Sequence, residues 1–236
     1  MALSLVVAVF AICCLAGCGG KDEFKGGENA TVTEIYEIAS TANNEFGSGY
    51  SMYTVIKYGK RTYMEIDGQV VLGESDVQVA MTINMLGYAF GAYVRDGYAY
   101  LSTTEGKVKV ALDTESEEYT TMISQIQKAM SNADIESDML TFLEAYAAFE
   151  AMGESFKVKK LTSEDGLERF KIYTTQETED GTADVEMVVG YKDGHIVEYS
   201  TKSTEGKEVM YSSIKALAAD AEINYPADLD TYTEAV

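Results

Sequence analysis

Three cysteines, one histidine and 39 acids are the residues of this 236-residue chain that could carry chemistry. Cys13, Cys14 and Cys18 all stand at the very start, so the body of the chain holds neither a disulfide framework nor a thiolate metal site. With His195 as the single histidine, most histidine-containing metal sites are removed as well. His195 follows the turn signal Asp193-Gly194 and opens a strand-like run, so it reads as a partly exposed strand residue. No Gly-x-Ser-x-Gly elbow occurs that would make it the base of a nucleophilic triad. Asp134, Glu136 and Asp138 alternate as hard-cation ligands do. An EF-hand loop, however, needs Gly at its sixth position, here Met139, and Glu at its twelfth, here Ala145. Acids at that point suit a helix start instead. Among 39 acids a carboxylate pair for glycoside hydrolysis can always be found, so a pair is no evidence, and there is no Trp to stack on a sugar ring. The expectation is a protein that is not an enzyme and takes no metal and no cofactor.

Cys18 has a context of its own. Leu3 to Leu15 form an uncharged run, LSLVVAVFAICCL, followed by Ala16-Gly17-Cys18. A run of about 13 residues is too short for a membrane span, which needs roughly 20, and fits the apolar core of a signal peptide. Leu15-Ala16-Gly17-Cys18 resembles the lipobox of bacterial lipoproteins. In that family the peptide is cut before the cysteine, whose thiol receives a diacylglyceryl group. The small residues Ala16 and Gly17 suit a peptidase groove, and a thiolate is the nucleophile that lipidation requires. Two acyl chains anchor stably where one is marginal. The resemblance implies a signal peptide over 1–17 and a lipidated Cys18 with a flexible tether over 18–30. It places the protein, lipid-anchored, on the extracytoplasmic face of the cell membrane. A buried N-terminal helix with a chance cysteine would not explain why the run stops at Cys18 and gives way to Gly19-Gly20-Lys21-Asp22. No Lys or Arg precedes the run, where a basic segment is normal, which points to a start upstream of Met1.

The rest of the chain is strongly acidic: 18 Lys+Arg stand against 39 Asp+Glu, a net charge of −21. Nucleic-acid affinity rests on Lys and Arg displacing counterions, so no nucleic-acid partner is expected. The same net charge makes electrostatic docking on anionic lipid poor, and it would steer the surface toward a basic protein partner. With 46% hydrophobic residues and 17 Tyr the chain is far too apolar to be disordered.

The elements follow from periodicity. Thr31-Val32-Thr33-Glu34 has capping-box spacing, and Val32, Ile35, Ile38, Ala39 and Ala42 recur at helical intervals, predicting a helix over about 32–43. Beyond Gly47-Ser48-Gly49 the period becomes two. It is clearest over 76–86, where Val77, Val79, Met81, Ile83 and Met85 alternate with other residues. Similar strands are expected near 50–58, 61–66, 89–95, 98–104, 107–112, 157–162, 167–175, 183–191, 195–203 and 207–214. Asp-Gly at 67–68, 96–97, 165–166, 180–181 and 193–194 reads as five tight hairpin turns, hence an antiparallel sheet.

Two helices interrupt the strands. One follows a second capping box at Thr114-Glu115-Ser116-Glu117 and carries Tyr119, Met122, Ile123, Ile126 and Met130 on one face. The other, 137–152, holds Met139, Leu140, Phe142, Leu143, Tyr146, Ala147, Phe149 and Met152, too many for one stripe, and is expected to be buried on more than one side. Thr-Glu-Gly-Lys recurs at 104–107 and 204–207, which shared turn chemistry explains as well as duplication does. Pro226, the only proline, suits the end of an edge strand.

This order (lipidated cysteine, helix, antiparallel strands, helical pair, strands, and a closing Ile223-Asn224-Tyr225-Pro226) resembles the LolA-like superfamily of envelope lipoprotein carriers. The superfamily includes the LppX-type lipoproteins and uncharacterised lipoproteins of Gram-positive bacteria. The likeness covers residues 18–230 as an order of elements, and only Cys18 carries over residue by residue. It implies an α+β fold: one domain over 31–236 with a strongly curved antiparallel sheet, an open half-barrel. The N-terminal helix and the central helical pair would cover its concave face. In the family that concavity holds acyl chains or lipid-linked molecules.

On the residues themselves, Met81, Met85, Leu86, Met139, Phe142, Leu143, Tyr146, Phe149 and Met152 are the candidates for lining such a cavity, because methionine adapts to irregular apolar partners. The plainer alternative, that they pack helices onto the sheet, is favoured by the residues alone. The expected function is a lipoprotein binding or carrying an apolar ligand in a cavity of several hundred Å³. The second possibility is an accessory or sensory lipoprotein acting through protein contacts, with a filled barrel.

Overall fold

The structure is a computed structural model describing residues 27–235 except 45, 47, 74–75, 118, 122, 125–133, 155, 165 and 179–180. Cys18, the signal segment and the tether up to 26 lie outside the described residues, as do Met122, Ile126 and Met130 of the first central helix.

The chain runs β1 (Glu28–Asn29), α1 (Val32–Ala39), β2 (Asn43–Asn44), β3 (Gly49–Tyr58), β4 (Arg61–Leu72), β5 (Val77–Met85), β6 (Tyr88–Arg95), β7 (Tyr98–Thr103) and β8 (Gly106–Ala111). It continues through α2 (Asp134–Ala151), β9 (Lys157–Thr162), β10 (Glu168–Thr178), β11 (Gly181–Lys192), β12 (His195–Glu205) and β13 (Glu208–Ala216), and ends in β14 (Thr233–Glu234). Strands β3 to β8 form one antiparallel meander and β9 to β13 a second. They join where β13 pairs with β3, Ile214 opposite Met52. One sheet results, in the order β1-β9-β10-β11-β12-β13-β3-β4-β5-β6-β7-β8-β14, with β2 paired off this path to β12. It is the expected α+β architecture, a curved antiparallel sheet left open. The two long edge strands, β8 and β9, are each shielded by a two-residue strand, β14 and β1.

Helices cover the concave side. Val32, Ile35 and Ala39 of α1 and Met139 and Leu143 of α2 pack on Phe170, Ile172, Met187, Val189 and Ile214 of the second meander. Helical backbone at 117, 119–121 and 123–124 brings Tyr119 and Ile123 over Leu72, Val77, Val79 and Val94 of the first. On the convex side the C-terminal segment lies across the first meander, Leu229 and Tyr232 meeting Ala80 and Tyr93. It is pinned there by Asn224 N donating to Gln69 Oε1 at 2.8 Å, Tyr225 OH donating to the Val94 carbonyl at 2.8 Å, and the Lys107–Asp228 ion pair. The convex side of the second meander is ionic: Glu198 takes Arg169 at 2.8 Å and Lys215 at 3.1 Å, and Glu186 takes Lys171 at 2.6 Å and also Lys202.

Several local expectations are corrected. Asp67-Gly68 does not turn but lies inside β4, because Met52 and Met81 cross the sheet at that point. A Cβ on Gly68 would come within 3.0 Å of Met52 Cγ and 3.6 Å of Met81 Cε. Strand β4 runs on to Leu72 and β5 begins at Val77, with Gly73 N donating to the Asp76 carbonyl between them. Asp96-Gly97 and Asp193-Gly194 do turn, with φ of 51° and 76°, and of 52° and 91°. Asp165 and Asp180 lie outside the described residues. The first central helix is capped by Ser116 rather than Thr114: Ser116 Oγ accepts from Tyr119 N at 3.1 Å. The two Thr-Glu-Gly-Lys copies sit in different registers, Gly106 already paired with Thr103 while Gly206 is a turn residue between Glu205 and Glu208, which favours turn chemistry over duplication. Pro226 belongs to the irregular convex segment and not to an edge strand.

Among the described residues every strand and all three apolar clusters come from 28–234, so a chain of residues 19–236 retains all of them. A Cβ on Gly91 would stand 2.2 Å from the hydroxyl of Tyr93 and 2.6 Å from its Cζ, and that ring is buried under the C-terminal segment. Gly91→Ala should therefore cost about 1–3 kcal/mol in urea unfolding of residues 19–236. An unchanged midpoint would mean that the segment does not clamp Tyr93.

Candidate functional site

Among the described residues, helical cover lies over one end of the concave face of the first meander. Val77, Val79, Met81, Ile83 and Met85 share that face of β5, and their exposure runs from 3% at Val77 through 1% and 2% at Val79 and Met81 to 46% at Met85. Tyr119 and Ile123 account for the covered end. Toward the other end a cleft of about 60 Å³ opens, lined by Met81, Ile83, Phe90, Ala92, Leu101 and Thr103 with backbone from Gly91 and Ser102. Register brings these residues together: Ile83 stands opposite Phe90, Met81 opposite Ala92, and Ala92 opposite Leu101. The lining carries no ionisable side chain.

The residues singled out from the sequence fall into three places. Met81 lines this cleft, whereas Met85 and Leu86 are not among its lining residues and stand exposed on the β5–β6 hairpin. Met139 and Leu143 fill the space between α2 and the sheet, with Phe142 and Tyr146 half-buried beside them. Phe149 and Met152 are exposed at the far end of α2. Helix α2 is thus buried on one side, not several, because it has sheet and α1 beneath it and solvent above Glu144, Ala145, Ala148 and Phe149. One cleft among the described residues, of about 60 Å³, lies beside the helical cover rather than between sheet and helices. Ile83, Phe90, Ala92 and Leu101 were not singled out. The alternation that marked β5 continues through Phe90, Ala92 and Val94 and could have found them.

The cover is held in register by one carboxylate. Thr31 caps α1, its Oγ1 accepting from Glu34 N at 3.0 Å, as the capping spacing foretells, while Glu34 itself turns to Lys160. Glu150, in the last turn of α2, accepts from Val32 N at 3.2 Å, Thr33 N at 3.0 Å and Thr33 Oγ1 at 2.8 Å. A negative group at the positive end of α1 also suits the helix dipole. Phe142 and Tyr146 stack at 4.1 Å, and Tyr146 OH accepts from Gln176 Nε2 at 2.7 Å, tying α2 to the sheet.

Charge shifts lie away from the cleft. Burial pushes the Glu150 carboxyl up, but the bonds from Thr33 and Val32 outweigh it and hold it below the usual range. Burial likewise pushes Glu186 up and is outweighed by Lys171 and Lys202, leaving it low. Asp67 is raised, by burial first and by neighbouring Glu65 second. His195 is half-buried at the first position of β12. Among the described residues no three of His, Cys, Asp and Glu converge on a possible metal position, and no helix is long and apolar enough to cross a membrane.

No family model and no curated protein matches the chain. A DUF1329 family protein from Desulfovibrio piger ATCC 29098 is among the similar solved structures, at 9% identity over 78% of this chain and 88% of that one. Its TM-score of 0.18 is too low for the likeness to bear on fold or role.

Because Glu150 is lower in the folded chain than unfolded, the stability it adds is present above the ordinary carboxylate range and is lost as pH falls through its lowered value. Glu150→Ala should cost about 1 kcal/mol at pH 7, the usual worth of a helix cap, and the gap to the parent should close on acidification. A gap independent of pH would show that the carboxylate is not what joins α1 to α2.

Proposed function

We propose that this protein is a membrane-anchored extracytoplasmic lipoprotein of the LolA-like kind, which holds part of an apolar or lipid-type molecule in the cleft of its first meander. The observation that carries the reading is the uncovered end of the concave face, where Met81, Ile83, Phe90, Ala92 and Leu101 border a hollow next to solvent. Apolar surface left open in this way favours an apolar occupant, at about 25 cal/mol for each Å² removed from water. A cleft of about 60 Å³ suits a segment of a chain rather than a whole small molecule, whose sites run to roughly 300–1,000 Å³. The lining offers no ionisable acid or base to activate the hydroxyl of Ser102 or Thr103, which supports binding rather than catalysis. The anchor rests on Leu15-Ala16-Gly17-Cys18, with a diacylglycerol on Cys18.

A second reading, a partner-binding lipoprotein, is favoured by the filled interface under α2 and by Phe149 and Met152 standing exposed beside it. Native mass spectra of residues 19–236, before and after organic extraction, separate the two. The proposal expects an adduct whose removal lowers the melting temperature, since a ligand that prefers the native state stabilises it. It also expects Ala92→Phe, which fills the cleft, to abolish the adduct while the chain stays folded. A clean apoprotein, unchanged in stability after a challenge with membrane lipids, contradicts the proposal and supports the second reading.

A further inference from the structure

Seven large apolar residues are exposed among those described, and five of them, Tyr58, Tyr63, Met85, Leu86 and Tyr88, lie on two adjoining hairpin tips. The tips belong to the β3–β4 and β5–β6 hairpins, and Leu86 N donating to the Tyr63 carbonyl at 2.9 Å joins them into one surface. Leu86 is the unusual member. It sits at φ 52° ahead of Gly87 at 90°, a left-handed pair that recurs among the described residues as Asp96-Gly97 and Asp193-Gly194. Both sister turns carry Asp, which tolerates this conformation, whereas a leucine there is strained. The β5–β6 turn thus holds a residue that neither its backbone nor its exposure favours.

The charge around it is equally out of character. Over 57–64, KYGKRTYM, there are three cations, Lys57, Lys60 and Arg61, and no acid, in a chain of net charge −21. All three are exposed, and Arg61 lies 5.3 Å from the ring centre of Tyr63. Lys57 and Lys60 form no ion pair among the described residues. The neighbouring β12–β13 turn adds Lys207 but also Glu205 and Glu208, so the cationic excess belongs to 57–61.

Leucine and methionine on one tip, tyrosines on both, and Lys60 and Arg61 on the adjoining tip are the ingredients of an interfacial membrane contact. The apolar tips enter the acyl boundary, tyrosines sit at headgroup level, and cations meet anionic headgroups. We infer that the paired tips of the β3–β4 and β5–β6 hairpins dock on an anionic bilayer surface, with Leu86 as the inserted residue. The net charge of the whole chain argues against such docking only at long range. In physiological salt, screening over about 8 Å leaves the local cations to decide. The contact is separate from a lipid anchor at Cys18 and from whether the cleft holds a ligand.

The chain has no Trp, so Leu86→Trp provides a single reporter. Residues 19–236 with Leu86→Trp should show a blue-shifted emission, quenched by acyl-brominated lipid, with phosphatidylcholine vesicles holding about 30% phosphatidylglycerol, and much less with phosphatidylcholine alone. Lys60→Glu with Arg61→Glu should cut the vesicle partition coefficient at least about tenfold. Leu86→Asp, which restores the residue of the sister turns, should lose vesicle co-sedimentation while melting no lower than the parent. Ala92→Phe should leave vesicle binding intact even if it empties the cleft. Emission unmoved by any vesicle, or Leu86→Asp co-sedimenting as well as the parent, overturns the inference. So does a blue shift that depends on protein concentration without vesicles, which would assign the tips to a second copy of the chain.

Discussion

The rest of the structure depends on where the two meanders join. Because β13 pairs with β3, the strands that bound the central connection, β8 and β9, end up at opposite sides of the sheet. A chain leaving β8 can reach β9 only by crossing the whole sheet, and in a curved sheet the shorter route is over the concave side. The described parts of that connection, Tyr119, Ile123 and α2, accordingly lie on that side, and α2 presents an apolar stripe downward. The filled layer of Met139, Leu143, Phe170 and Met187 is the consequence of that connectivity.

The crossing is finite, and this makes the two halves unequal. Under α1 and α2 the second meander is packed over Phe170, Ile172, Met187, Val189 and Ile214, and its convex side compensates with paired charges instead of a second layer. The first meander is covered on its convex side by the C-terminal segment and, among the described residues, at one end of its concave side by Tyr119 and Ile123 with Leu112 beside them. What remains partly exposed runs from Ile83 outward to Met85, on the strand that leads into the hairpin tip carrying Leu86 and Tyr88. The apolar cleft and the apolar tips thus share one origin, a concave face longer than its cover. Glu150 matters in the same frame, since by capping α1 from α2 it fixes how far the cover extends.

Much of this was legible in the residues because each strand carries its own local period. The alternation over 76–86 appears as β5 over 77–85, and the spacing Thr31 to Glu34 marks the cap that forms. The failures have long-range causes. Gly68 reads as a turn residue until Met52 and Met81, distant in sequence, are seen to occupy its missing side chain's space. Thr114 and Ser116 offer equivalent hydroxyls, and the choice falls to Ser116, which bonds to the amide of Tyr119, itself buried on the sheet. Helix α2 has apolar residues on several sides, and only the tertiary arrangement decides that Phe149 faces solvent. The cleft was half visible: Met81 was singled out, while Phe90 and Leu101 were not, since nothing local tells which part of an alternating strand a distant helix will leave uncovered.

That unequal cover can be tested on residues 19–236, which contain no cysteine, by thiol labelling of single-cysteine variants. Leu101→Cys places a thiol in the cleft and Val189→Cys places one under the helices. Under native conditions the first should react at least about 100-fold faster, because the second becomes accessible only through local or global unfolding. Equal rates, whether both fast or both slow, would contradict an account in which helices seal one half of the concave face and leave the other open.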